Sequence, residues 1–286
     1  MANVLITGCS SGIGRATARH LAARNWTVYA TARRVEAIQD LAADGCRLLA
    51  LDVTDDQSMV AAVAAVEKEH GAVDALVNNA GYGEYGPVEE VPLDAARKEF
   101  ETNVFGLARM AQLVLPGMRR QRRGRIVNVG SMGGRFTFPG GGWYHASKYA
   151  VEALSDALRF EVRPFGVAVV VIEPGTIKTR FAETAVGESE AVGTDVPDLP
   201  GGDGPYASFN AAMAKTVHGA YQGAMGRMAT GPETVAKVIE KALTSDRPRT
   251  RYPVTAGARL MLGVRRILPD RAFDAVLRTQ FASPGD

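Results

Sequence analysis

Two cysteines, Cys9 and Cys46, and four histidines are all that this 286-residue chain carries of the residue types that most often bind metal. Two thiols cannot build a disulfide framework, and four scattered imidazoles make no ligand cluster, so no metal site is expected. So few cysteines also fit a reducing compartment. Long apolar runs are missing too, and none reaches the length of a membrane span. Net charge is only +2, so charge alone points to no nucleic-acid partner and no acidic substrate. The first apolar run, "NVLIT", begins at Asn3 and leaves no room for a signal peptide ahead of it. The expected location is cytoplasmic. One dense basic run, "RRQRRGR" (Arg119 to Arg125), reads as the solvated end of a long helix closed by Gly124.

What is present is apolar residue in quantity, 46% of the chain, arranged as short runs between helical segments. "NVLIT", "TVYAT", "RLLAL", "VDALVN", "RIVNVG" and "VAVVVIEPG" read as strands. Between them, residues 13–24, 35–43, 56–70 and 94–121 read as helices, and so does the stretch from Tyr144 to about Arg163. The strands are continuously apolar and not alternating, which predicts a parallel sheet covered on both faces. Alternating units of this length predict a doubly wound α/β fold of Rossmann type. A single domain, 1–286, is expected. Within it, residues 181–230 are rich in Gly, Pro, Ala and acids and read as a long substrate loop. A helix at 232–243 and a last strand at "TRYPV" follow, then a helical extension at about 256–282. That extension could lie on a membrane surface, but packing on the body beside the site is the expected arrangement.

Two local patterns carry chemistry. "TGCSSGIG" follows the first strand and opens the first helix. Gly8, Gly12 and Gly14 allow a tight turn and the close approach of a pyrophosphate to free N–H groups at the helix N-terminus. Tyr144 and Lys148, in "YHASK", are four residues apart on a helix and so share one face. A phenol ordinarily ionises near 10. An ammonium about 4 Å away, at a dielectric of about 20, would favour the phenolate by at most roughly 4 kcal/mol, or about three pH units. The pair could then exchange a proton near neutrality. His145 points about 100° away from the tyrosine along the helix and reads as structural.

These motifs occur in one order: "TGCSSGIG", "LDVT", "NNAG", "TNVFG", "VNVGS", "YHASK" and "EPGTIKT". In that order, over residues 3–180, the chain resembles the classical short-chain dehydrogenases/reductases. "GYGEYGPVEE", the "YHASKYAVEALSDALRFEV" helix and "RRILPDR" are similar to the branch that includes 17β-hydroxysteroid and retinol dehydrogenases. The resemblance implies a catalytic set of Asn103, Ser131, Tyr144 and Lys148. It makes Tyr144 the acid/base, Ser131 the donor to the substrate oxygen, Lys148 also a ribose ligand, and Asn103 the holder of a relaying water. It implies dinucleotide contacts at Gly8, Ser10, Ser11, Gly12, Ile13 and Gly14. Further contacts follow at Asp52, Val53, Asn79, Ala80, Gly81, Pro174, Gly175, Thr176 and Thr179.

An enzyme of this family that uses NAD(H) usually carries an acid at the end of the second strand. Here that position holds Ala32, followed by Arg33 and Arg34. A guanidinium suits a 2′-phosphate, so NADP(H) is expected over NAD(H). Phe136, Phe138 and Trp143, with Phe181 and the apolar tail, predict a hydrophobic carbonyl or alcohol substrate. By resemblance, a homodimer or homotetramer through the Tyr144 helix and the 94–121 helix is expected. Two other readings stand beside the reductase. One is a non-catalytic dinucleotide-binding redox sensor, and the other an epimerase or dehydratase of the wider superfamily.

Overall fold

A computed structural model describes residues 2–178, 205–219 and 229–279, with the backbone alone for 214–219. Seven strands form one parallel sheet. They are β1 (Asn3–Ile6), β2 (Thr27–Ala32), β3 (Arg47–Ala50), β4 (Ala75–Asn78), β5 (Gly124–Val129), β6 (Val167–Glu173) and β7 (Arg251–Pro253). Their order is β3-β2-β1-β4-β5-β6-β7, and every adjacent pair is parallel. The helices are α1 (Gly12–Ala22), α2 (Asp56–His70), α3 (Leu93–Phe100), α4 (Leu107–Gln121), α5 (Gly142–Val162), α6 (Ala207–Gly219), α7 (Pro232–Thr244), α8 (Ala256–Ile267) and α9 (Asp270–Arg278). The segment Val35–Ala42 is a 3-10 helix.

The unbroken apolar strands follow from burial on both faces. Val4 and Ile6 of β1 pack on one side with Ala18 and Leu21 of α1 and Val235 and Ile239 of α7. Leu5 packs on the other with Met59 and Val66 of α2 and Met110 and Val114 of α4. Consecutive strand residues thus feed opposite cores, and neither face can be polar. The winding direction reverses between β1 and β4, which opens a crevice at their C-terminal ends.

Local signals set the helix limits. Asp55 caps α2 by accepting from the Gln57 N–H at 3.0 Å, and Gly71 ends it at φ +77°. The predicted 94–121 helix departs from regularity. α3 and α4 are joined end to end by one wide π turn, Glu101–Gly106. Such turns in helices gather at functional sites, and this one carries Asn103.

The predicted 181–230 loop also differs from expectation, because α6 lies within it. Its apolar pair Phe209 and Met213, one turn apart, is buried. The surrounding Gly- and Pro-rich text hides that turn from a pattern reading. The tail folds back on the body. Phe273 of α9 meets Phe136 edge-on at 5.7 Å. Residues 280–282 of the expected extension lie outside the described residues. Among the described residues, no helix is long and apolar enough to cross a membrane.

Candidate active site

The glycine turn and the "NNAG" segment form one object at the crevice. Asn79 Nδ2 donates to the Thr7 and Gly8 carbonyls at 2.9 Å. Thr7 Oγ1 accepts from the backbone N–H groups of Asn79 and Ala80, also at 2.9 Å. Gly8 adopts φ +72°, and a Cβ there would meet Ala80 Cα at 2.8 Å. A Cβ on Gly14 would strike the Gly8 carbonyl and lie 2.5 Å from Asn79 Nδ2. The backbone is therefore drawn tight beneath α1, whose N-cap Ser11 makes no side-chain cap bond. Ser10 and Ser11 are exposed, and Ile13 is half-buried. Bare helix N–H groups above a side-chain-free turn fit a pyrophosphate.

The residues expected to flank the dinucleotide lie at strand ends. Ala32 closes β2 and is buried, and Arg33 and Arg34 after it are exposed. Arg33 comes near enough to Tyr82 to draw its phenol down against the upward push of burial. Asp52 Oδ1 is occupied by the Thr54 N–H and hydroxyl at 2.9 and 2.7 Å. Val53 is buried against Gly106 of the π turn. The Pro174 carbonyl accepts from the Met132 N–H at 3.0 Å. Gly175 backs onto the Thr255 hydroxyl and Ala258 at the start of α8, and Thr176 follows in a bend. Thr179 lies outside the described residues.

At the centre, α5 presents Tyr144 and Lys148 on one face, both buried. Lys148 Nζ lies 5.8 Å from the Tyr144 ring centroid and donates to the Val129 carbonyl at 3.1 Å. Burial pulls the lysine down to about 8, and Glu99 opposes that pull. Ser131 sits where β5 ends, and its Oγ accepts from the Gly133 N–H at 3.0 Å. Gly133 is fixed in turn by His145, whose Nδ1 bonds the Gly133 carbonyl at 2.8 Å. His145 is fully buried, and its other nitrogen has no partner among the described residues. Burial lowers its pKa to about 4, so the ring is neutral and Nδ1 carries the proton.

Asn103 is held on all sides. Its Oδ1 accepts from the Tyr82 N–H at 3.1 Å. Its Nδ2 faces the Tyr82 carbonyl at 2.8 Å, Ser147 Oγ at 3.0 Å and Glu99 Oε1 at 3.1 Å. The carboxamide is thereby a tie between the π turn, the 82–84 loop and α5.

The expected aromatics separate into two groups. Phe138 stacks on Tyr85 at 6.4 Å, and Tyr85 stacks on Tyr144 at 5.6 Å, which makes an aromatic wall at the phenol. Phe136 turns to Phe273, and Trp143 meets Phe100 edge-on at 6.4 Å. Phe181 lies outside the described residues. Sequence reasoning missed Glu99, Tyr85 and Thr255. Only Glu99 left a readable trace, an acid one helical turn before Asn103.

A family model described as short chain dehydrogenase matches residues 2–189. The uncharacterized oxidoreductase YusZ of Bacillus subtilis is 35% identical over 98% of this chain and 98% of its own. Human 17-beta-hydroxysteroid dehydrogenase type 1 is 38% identical, covering 88% of this chain and 77% of its own. A short-chain dehydrogenase from Streptomyces avermitilis superposes with a TM-score of 0.79 at 34% identity, over 98% of this chain and 96% of that one. Two further structures hold cofactors. A serine dehydrogenase complexed with NADP+ has a TM-score of 0.75 at 27% identity, covering 89% and 95%. An NAD+-bound xylitol dehydrogenase has 0.74 at 26%, covering 90% and 98%.

Proposed function

Because the chain belongs to the short chain dehydrogenase family of oxidoreductases, we propose that it is an NADP(H)-dependent reductase or dehydrogenase acting on the carbonyl or alcohol carbon of a hydrophobic substrate. The observation that carries this reading is the buried Lys148 ammonium beside the Tyr144 ring. A cation in a site of low dielectric stabilises the phenolate, so Tyr144 can release and take up a proton near neutrality. Ser131 supports the same chemistry. Its oxygen accepts from Gly133, which leaves the hydroxyl proton for the substrate oxygen. The glycine turn would hold the pyrophosphate of the dinucleotide, and Lys148 its nicotinamide ribose. When bound, that cofactor supplies or takes the hydride.

The 2′-phosphate has a ready partner in exposed Arg33, and buried Ala32 offers no acid to repel it. A charge-assisted bond of about 1.5–3 kcal/mol corresponds to a preference of roughly 10- to 100-fold. The aromatic wall of Tyr85 and Phe138 favours apolar ketones, aldehydes or secondary alcohols over sugars. Assembly as a homodimer or homotetramer is supported by the exposed Phe105 of the π turn and Leu154 and Phe160 of α5.

Tyr144→Phe tests the acid/base role. It should abolish turnover of decanal or a steroid ketone, followed at the reduced-nicotinamide band, while the cofactor still binds. Near-normal activity in that variant would overturn the assignment. Paired titrations test cofactor choice. Wild type should bind NADP(H) more tightly, less so in high salt, and an Ala32→Asp, Arg33→Ala variant should reverse the order. Equal affinities in wild type would refute it.

A further inference from the structure

Glu99 has no part in the chemistry above, yet it lies at the heart of the site. It is on the last turn of α3, fully buried, and faces α5. Its Oε1 accepts from Asn103 Nδ2 at 3.1 Å and from the Ser147 hydroxyl at 3.2 Å. Its Oε2 accepts from the Glu84 N–H at 3.3 Å. These donors come from the π turn, α5 and the 82–84 loop. A carboxyl with three donors is placed to carry charge, because each bond favours the ionised form.

Lys148 needs such a charge. A buried ammonium is stable only when paired or well bonded. Among the described residues, it makes no contact ion pair, and it donates to the neutral Val129 carbonyl. Asn103 bonds Glu99 and borders the same glycine as the lysine. A Cβ on Gly81 would lie 2.8 Å from Asn103 Oδ1 and 3.6 Å from Lys148 Nζ, so both atoms border Gly81. The other end of that carboxamide is bonded to Glu99. Ser147, next to Lys148 in sequence, also bonds Glu99.

We propose that Glu99 is a positioning residue of this site: its carboxyl, held by Asn103 and Ser147, supplies the counter-charge that favours the buried Lys148 ammonium and so a more acidic Tyr144. The link has two settings. The Ser147 hydroxyl can donate to Glu99 Oε1 or to the Tyr144 carbonyl, 3.2 and 2.8 Å away. While Glu99 is ionised, it attracts that proton. Once Glu99 is protonated, its own proton can go to Ser147 Oγ, and the hydroxyl turns to the Tyr144 carbonyl. Burial pushes Glu99 up to about 8, and Glu84 adds to the rise while Lys148 opposes it. Carboxyl and lysine thus titrate as a coupled pair in the working pH range. The titratable groups acting on Glu99 are Glu84 and Tyr82 of the loop and Lys148 of α5. Arg97 and Lys98 on its own helix are exposed.

The inference rests on the reading of Lys148 and Tyr144 as a working pair, but its test measures charge and not turnover. The side-chain ε-carbons of 13C-labelled lysines are titrated by NMR in the cofactor-free protein, with Lys148 identified by loss of its signal in Lys148→Met. Wild-type Lys148 should titrate near 8. In Glu99→Gln, which keeps the shape and loses the charge, its midpoint should fall by about one pH unit. By linkage, the Glu99 carboxyl carbon in Lys148→Met should titrate about one unit higher than in wild type. That second measurement stands where Glu99→Gln does not fold. An unchanged Lys148 midpoint in Glu99→Gln, or an unchanged Glu99 midpoint in Lys148→Met, overturns the counter-charge. Active Tyr144→Phe would instead sink the acid/base reading and leave these titrations untouched.

Discussion

Acid should weaken this fold through His145, and the loss can be sized. The ring donates through Nδ1 to the Gly133 carbonyl, is fully buried, and turns its edge to Phe138 at 4.2 Å between centroids. Protonating Nε2 would place a charge with no acceptor among the described residues. The folded-state pKa is therefore depressed to about 4 from 6.5. The unfolded chain binds the proton more readily, so the stabilisation is present above 6.5 and is lost as pH falls to 4. A gap of that size corresponds to about 3 kcal/mol. His145→Asn should remove the effect while keeping a donor for Gly133, at a pH-independent cost of about 1–2 kcal/mol for the vacated volume. Urea unfolding, read by Trp fluorescence, should show wild type ahead at pH 7 and its lead shrinking or reversing by pH 4.5. Parallel stability curves for the two proteins between pH 6.5 and 4.5 would refute the reasoning.

Two other perturbations probe the frame of the site. Gly14→Ala should drive a methyl into the Gly8 carbonyl and the Asn79 amide, costing about 1–3 kcal/mol. Cofactor affinity, measured by quenching of protein fluorescence, should fall at least tenfold as the turn opens. Unchanged affinity and melting temperature would mean the turn is not tight. Arg251 bonds Glu152 at 2.8 Å and Asp156 at 2.6 Å and lies 3.7 Å from Glu173. Burial pushes Glu173 up to about 7, with Glu152 adding to the rise. A carboxyl raised above its unfolded value destabilises the fold as pH climbs through that window. Arg251→Met should thus cost about 2–4 kcal/mol at pH 8 and less at pH 5, where Glu173 carries its proton. An equal loss at both pH values, in urea midpoints, would disprove this account.

The sheet was legible because its signal is local. Runs such as Val169 to Ile172 are apolar at every position, and only a strand covered on both faces needs that. The glycine turn and the Tyr144–Lys148 spacing were legible for the same reason, each being set by residues a few positions apart. Glu99 was not, because a buried carboxyl looks like any helix-surface acid until Ser147 and Glu84 are brought to it across 48 and 15 residues. Tyr85 stacks on a residue far along the chain and leaves no periodic mark. Helix α6 was hidden by its glycine-rich surroundings, and the π turn because it keeps a helical sequence pattern throughout.

That wide turn has a bearing on how the chain tolerates insertion and deletion. Five of its six residues, Glu101 to Phe105, would suit an ordinary helix, and removing one would let α3 and α4 merge into a single regular rod. Each residue of an α-helix advances the azimuth by about 100°. With Met110 and Val114 anchored on the sheet, such a deletion would swing Ala96 and Glu99 through that angle, away from α5. Local regularity and the alignment of the site are therefore in opposition at this point. A length variant lacking one residue between 101 and 106 should be as helical as the parent by circular dichroism and inert in any assay of the Tyr144 chemistry.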